Sequence, residues 1–275
     1  MRLLGVLQRI AICYVTTALL ARVLRPRALA GVAAGLLLGY WALMTFVPVR
    51  DISLERAHLA ALEAATGQDA AALYAGTTAT ITHAYDDGRN LANHLDFRLL
   101  PLRKYDGAYD PEGLLSTLPA IATCLCGALA GMLLGRSDLR PQAKVRWLII
   151  AGIAALALGF AWGLQFPVIK KIWTSSYVLC AAGWSALLLA AFYQVIEVWN
   201  RRRWAMPFVW IGMNPITIYL ADRFIDFGAV AERLVGGPIA GALGGYGQLL
   251  VTAVALGLVI GLAWFLHARR IFLRV

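Results

Sequence analysis

The stretch LLSTLPAIATCLCGALAGMLL, residues 114–134, contains no charged side chain. A hydrocarbon layer about 30 Å thick takes roughly 20 apolar residues of helix. This run therefore reads as one bilayer crossing. Its flanks carry opposite charge: Asp110 and Glu112 precede it, and Arg136 and Arg140 follow it. Six more runs share its length and character, at Leu3–Ala21, Leu29–Val47, Val145–Leu164, Ser175–Val198, Phe208–Phe224 and Leu249–Leu266. Sixty per cent of the 275 residues are hydrophobic, and the mean hydropathy is +0.69. A soluble domain of this size would be nearer half apolar. The composition excludes a soluble globular protein. The expected fold is all-α: a polytopic membrane helix bundle of about seven transmembrane helices. It forms a single domain over residues 1–275, with one large extracytoplasmic loop, residues 48–113, between spans two and three.

The loops carry the orientation. Residues 48–113 hold six basic side chains (Arg50, Arg56, Arg89, Arg98, Arg103 and Lys104) against ten Asp and Glu, so this segment is net acidic. The short loops on the other side are basic. Arg22, Arg25 and Arg27 join spans one and two. Arg136, Arg140, Lys144 and Arg146 join three and four, and Arg201, Arg202 and Arg203 join five and six. His267, Arg269, Arg270 and Arg274 form the tail. Basic loops stay in the cytoplasm, so the C-terminus is expected there, in a multi-pass protein of a bacterial inner membrane. The net charge of +10 is thereby a topology signal, with no nucleic-acid partner implied. Seven crossings that end inside require a start outside. Met1 stands two residues before a span with no signal peptide, so further helices are expected upstream.

Cys13, Cys124, Cys126 and Cys180 all fall within spans and read as apolar packing residues rather than metal ligands or disulfides. Gly31/Gly35, Gly127/Gly131 and Gly257/Gly261 have the spacing of close helix contacts in membranes. In the loop, helices are expected over Ser53–Ala65, ending at Gly67, and over Asp69–Tyr74, with a turn at Asp86-Asp87-Gly88. With little core of its own, the loop should lie as a cap over the membrane bundle.

Polar groups at membrane depth are expensive, so each needs a reason. Gln8 and Arg9 sit in the first span. Arg9 either snorkels to the headgroups or faces the bundle and meets a carboxylate. Asp110 and Glu112 are the carboxylates at hand. Asp110-Pro111-Glu112 also reads as a helix start, with Asp as N-cap and Pro in the first turn. Lys171, Trp173, Ser175 and Ser176 open the fifth span. Lys and Trp suit the headgroup level, and some of the hydroxyls must face protein. Asn214-Pro215 breaks the sixth span and frees a backbone carbonyl. A polar passage with a substrate contact at Asn214 follows from that break, as does a simple packing kink. No metal site is expected.

In this order, Gly-Val-Leu-Gln-Arg-Ile (5–10), Asn-Leu-Ala-Asn-His (90–94), Asp-Pro-Glu-Gly-Leu-Leu-Ser-Thr-Leu-Pro (110–119), Lys-Lys-Ile-Trp-Thr-Ser-Ser (170–176), Gly-Met-Asn-Pro (212–215) and Arg-Arg-Ile-Phe (269–272) span the chain. Together they resemble the bacterial relatives of heparan-α-glucosaminide N-acetyltransferase, a family of polytopic transmembrane acyltransferases. The resemblance implies an acetyl or acyl group taken from cytoplasmic acetyl-CoA, the acyl donor, and passed to an amino sugar or glycan across the bilayer. It implies Gln8, Arg9, Asp110, Glu112, Lys171, Trp173, Ser175, Ser176 and Asn214 as substrate contacts. It places the catalytic His upstream of Gly5, in a segment this chain lacks. Ile169 departs from the Asn that relatives often carry. Among the chain's own histidines (His58, His83, His94 and His267), His94 is the candidate base by position, though a solvated or capping role outweighs a catalytic one. The remaining alternatives are a transporter or flippase, or a non-catalytic protein, on the same scaffold. A homo-oligomer is compatible with either.

Overall fold

The structure, a computed structural model, describes residues 3–272; Arg274 of the basic tail lies outside the described residues. It is an all-α membrane bundle. Among the described residues, six helices are long and apolar enough to cross a bilayer. The chain divides into two compact units, one ending at Gln194 and the other beginning at Val195. A π turn over Gln194–Val198 carries the boundary. It contains no Gly, Pro or Ser, so nothing in the composition marks a linker there.

The first unit contains the helices α1 (Val6–Val23) and α2 (Pro26–Phe46), the loop, and then α6 (Thr117–Gly135), α7 (Pro141–Gly163) and α8 (Ser175–Tyr193). Arg25 and Arg140 stand immediately before α2 and α7, each of which has Pro at its first position, where the missing N–H goes unneeded. Helix α6 packs against α1, α2 and α8. Cys13, Leu29, Ala33, Leu37, Ala122, Leu125 and Val178 form its buried seam. The outer flanks of α1 stay apolar and exposed, with Leu7, Ile10, Tyr14, Val15 and Leu19 uncovered. In lipid those side chains have no reason to be covered.

The tight helix crossing is not where the glycine spacing points. An added Cβ at Gly31, Gly35, Gly127, Gly131, Gly257 or Gly261 would meet nothing within 4 Å. The close approach is between α7 and α8. There a Cβ on Gly183 would stand 2.8 Å from the Gly152 carbonyl, and one on Gly159 would stand 2.7 Å from the Cys180 sulfur. Gly152 and Gly183 face each other with a bare backbone, which the spacing of four within one helix cannot reveal.

The loop contains α3 (Arg56–Thr66), α4 (Ala70–Gly76) and α5 (Leu91–Leu99), and a two-residue antiparallel ladder of β1 (Val49–Arg50) on β2 (Thr80–Ile81). Helix α3 ends at Gly67, whose φ of +70° is the left-handed stop that glycine provides. Asp69 caps α4 by accepting from the Ala72 N–H at 2.7 Å. The loop has more core than expected. Ile52, Leu54, Leu59, Ala108 and Tyr109 are buried together, while Leu91 and Ala92 of α5 join Tyr40, Met44 and Phe166.

The second unit consists of α9 (Met206–Met213), α10 (Pro215–Phe224), α11 (Phe227–Val235), α12 (Pro238–Ala242) and the long α13 (Gly247–Ala268). Helix α13 packs against α9, α10, α11 and α12. The stretch 208–224, expected to be the sixth span, is two short helices meeting at Asn214, which has φ −138° and ψ 49°. Pro215 cannot continue the ladder of α9. The buried Asn214 instead donates its side-chain amide to the Ile271 carbonyl at 3.0 Å.

Candidate functional site

The site grows from the start of α5. Asn90 caps the helix, accepting from the Asn93 N–H at 3.0 Å, and donates to the Asn93 side-chain oxygen at 2.6 Å. Asn93 in turn accepts from the Gly88 N–H at 3.0 Å, which fixes the 86–88 turn. One turn on, Asp96 is 1% exposed. Its carboxylate accepts from the backbone N–H groups of Leu114 (2.9 Å) and Asp110 (3.4 Å). Burial pushes Asp96 up to about 6, against the pull of those two donors. Gly113 lies so close to this carboxylate that any Cβ there would collide with it.

Asp96 thus holds residues 110–114 out of helical conformation. The expected helix start at Asp110 is displaced to Ser116, and α6 begins at Thr117. Asp110 folds back as a turn former, accepting from the N–H groups of Glu112 (3.0 Å) and Tyr105 (3.2 Å). The turn leaves carbonyls pointing at Arg9. The Arg9 guanidinium donates to Pro111 O at 3.0 Å, to Gly113 O at 3.5 Å and to the Ser116 hydroxyl. Arg9 therefore faces the bundle rather than snorkelling, and is 6% exposed. Its direct partners are backbone oxygens and a hydroxyl in place of the expected carboxylate, and no ion pair joins it to Asp110 or Glu112 among the described residues. Its Nε is buried and finds no hydrogen-bond partner among the described residues.

The Trp173 ring lies against Arg9, with the guanidinium carbon 5.2 Å from its centroid. Trp173 has φ +55°, a left-handed conformation worth about 1–2 kcal/mol of strain in a non-glycine residue. Its indole donates to Thr123 at 3.1 Å, and its backbone N–H donates to Lys170 O at 3.1 Å, which hold it there. Two residues earlier, Lys171 pairs with Asp87 at 2.5 Å and Asp106 at 2.9 Å. Burial would lower the Lys171 ammonium, but the two carboxylates outweigh it and hold the group above its ordinary value.

Arg9, Pro111, Glu112, Lys170, Lys171 and Trp173 line one pocket of about 300 Å³. Four of the residues singled out in the sequence, Arg9, Glu112, Lys171 and Trp173, meet here from three segments of the chain. A larger cleft of about 570 Å³ lies in the loop, with Lys171 in its wall too.

Comparison with curated proteins gives 30% identity over 131 residues to heparan-alpha-glucosaminide N-acetyltransferase of Homo sapiens, covering 43% of this chain and 19% of that one. The Mus musculus enzyme of the same name gives 29% over 131 residues, with the same shares. The relationship is distant and partial. It supports a related acyltransferase-like family without fixing a member. The chain spans about a fifth of the length of the curated relatives it matches. No family model matches the chain.

The remaining sequence candidates lie elsewhere. Gln8, the neighbour of Arg9 on α1, is exposed. Ser175 and Ser176 are fully buried; Ser175 donates to Leu37 O at 2.7 Å and Ser176 to Phe166 O at 2.6 Å. Both hydroxyls are spent on holding α8 in place. Asn214 belongs to the second unit. His94 is 2% exposed, with Nδ1 3.3 Å from the Tyr74 hydroxyl. Burial pushes its imidazole down to about 4, so it is neutral. It lines neither pocket. Asp96, Asp87 and Asp106 were missed. A single Asp within an amphipathic loop helix resembles any solvated acid, and only the Gly at 113, needed for close approach, hinted at Asp96.

Proposed function

We propose that this chain is part of a membrane acyltransferase that moves an acetyl or acyl group from acyl-CoA to an amino sugar or glycan. The observation that supports the reading most directly is the 300 Å³ pocket at Arg9. A guanidinium in the pocket wall, held in place by Pro111 O and the Ser116 hydroxyl, is suited to an acyl oxygen that gains charge as an amine attacks its carbon. Trp173 gives the pocket an apolar wall, and Glu112 gives it a carboxylate. The name carried by the human relative, a glucosaminide N-acetyltransferase, agrees with an amine acceptor and an acetyl donor. The large acidic loop is proposed to face the acceptor, and the basic loops and C-terminus the cytoplasm, where acetyl-CoA is the donor. A bacterial inner membrane is the proposed location.

Acyl transfer to an amine needs a base near the acceptor nitrogen. A buried, neutral His94 outside both pockets does not supply it, so His94 is assigned to the packing of the cap. The second reading, a transporter, draws on the broken helix at Asn214.

The test is reconstitution, in proteoliposomes with acetyl-CoA and glucosamine, of the whole acyltransferase of which this chain is proposed to be part. The expected result is free CoA together with N-acetylated sugar, both lost in Arg9→Ala. Movement of the sugar across the bilayer without CoA release would overturn the proposal in favour of transport.

A further inference from the structure

The cleft of about 570 Å³ is lined by Glu55, Arg56, Asp87, Tyr105, Asp106, Tyr109 and Lys171, together with Ala57 and Ala60 of α3. Its volume lies within the usual range of small-molecule sites. The chemistry at its inner end is specific. One ammonium, that of Lys171, sits between two carboxylates at 2.5 and 2.9 Å and 5.3 Å from the ring centroid of Tyr109. Two carboxylates and an aromatic face around a single nitrogen make a cage for a primary ammonium. The cage is built rather than incidental. Tyr109 is 1% exposed, and Asp87 sits on the turn fixed by Asn90 and Asn93. The other cation of the cleft, Arg56, is held against the cleft wall, donating to Tyr105 O at 3.2 Å.

Lys171 differs from a structural lysine in two ways. It stays partly open to solvent, with 39% of its side chain exposed. It also stands in the wall shared by this cleft and the pocket that holds Arg9. A lysine ammonium on a flexible four-carbon stem is a compact cation with three donors, close in shape and charge to the protonated amine of a hexosamine.

We propose that Asp87, Asp106 and the Tyr109 ring form a recognition site for the ammonium of an amino sugar, and that Lys171 occupies this site as a built-in competitor which the sugar amine displaces. The proposal rests on the amino-sugar reading above and names the residues that select the amine. It has two consequences. Displacing Lys171 shifts the partition between the cleft and the Arg9 pocket only when a cationic sugar has arrived. An N-acetylated sugar carries no ammonium, so it loses the cage and Lys171 returns.

The experiment is calorimetric titration of the detergent-solubilised chain with glucosamine, N-acetylglucosamine and glucose, without any acyl donor. Lys171→Met, which removes the competitor and keeps its bulk, is expected to bind glucosamine at least tenfold more tightly than the wild type. The two neutral sugars should be unaffected. Adding Asp87→Asn and Asp106→Asn to Lys171→Met should abolish the gain. Lys171→Arg, which keeps a cation in place, should bind no better than the wild type. If Lys171→Met does not fold, Lys171→Gln serves in the same role. Unchanged or weakened glucosamine binding in the charge-removed variant, or equal binding of all three sugars, overturns the proposal. Because no acetyl donor is present, a failure of acyl transfer with intact amine selection would sink the acyltransferase reading and leave this one standing.

Discussion

Arg9 donates a hydrogen bond to the hydroxyl of Ser116, a residue 107 positions further along the chain. The contact ties the first helix to the turn that opens α6. An arginine within a span costs roughly 2.5–3.5 kcal/mol on insertion scales. Hydrogen bonds from a charged donor return about 1.5–3 kcal/mol each. The bonds to Ser116 and Pro111 O are therefore enough to offset the charge without a carboxylate in direct contact.

The first prediction follows from that balance. Arg9→Met should lower thermal stability in detergent markedly, and Ser116→Ala by about 1 kcal/mol. In the double mutant the two effects should fall short of additive by about 0.5–1 kcal/mol, up to the whole of the Ser116→Ala effect. Strict additivity would show that the hydroxyl contributes nothing to holding the guanidinium.

Gly113→Ala places a methyl group against the Asp96 carboxylate. It should destabilise the protein strongly, while Asp96→Ala, which opens the space, should recover part of the loss in the double mutant. Two independent, fully additive losses would show that the collision is relieved some other way.

The pH dependence separates Asp96 from His94. Asp96 titrates near 6 when folded against an ordinary 3.8, so the folded state holds the extra proton and this group's contribution falls as pH rises from about 4 to 6. His94 titrates near 4 against an ordinary 6.5, so the unfolded state holds the extra proton and its contribution rises over nearly the same interval. The wild type should therefore show a shallow profile between pH 4 and 6. Asp96→Asn should leave the rising limb alone, with a slope of up to about 1.4 kcal/mol per pH unit. His94→Gln should leave the falling limb. Melting curves across that range decide it, and parallel profiles for the two variants would contradict the assignment.

Glycines of the same helical character should respond in opposite ways. Gly183→Ala meets Leu156 and the Gly152 carbonyl and should weaken the packing of α7 on α8. Gly127→Ala and Gly131→Ala meet nothing and should be neutral, or stabilising by up to about 1 kcal/mol through helix propensity. Melting temperatures in one detergent suffice to rank them.

What could be read in advance was whatever depended on local composition. The stretch 114–134 announces a crossing from its own residues, and Gly67 and Asp69 mark helix ends in the loop by their own conformational habits. Arg9, Glu112, Lys171 and Trp173 could be singled out because charge and indole near a bilayer demand partners. The identity of those partners was not legible. Asp110 carries the residue types of a helix N-cap, and only the remote carboxylate of Asp96 reassigns it to a turn. Ser175 and Ser176 look available until the Leu37 and Phe166 carbonyls are brought to them by the folding of other helices. The break at Asn214 was visible from Pro215, but its division of the stretch into two short helices was not.

The distance in sequence between Arg9 and Ser116 also sets an order of events during synthesis. At about 5–20 residues per second, the 107 positions from Arg9 to Ser116 take roughly 5–20 s to emerge. Throughout that time the first helix has left the ribosome with its charge uncompensated by its eventual hydroxyl and carbonyl partners. Such an arginine is held at the nearest headgroup layer, its stem along the lipid. The first helix can settle at its final depth only after the loop has folded and α6 has begun. The loop is therefore a timer for membrane insertion, and a chain stalled before residue 116 should leave its first helix shallow and extractable.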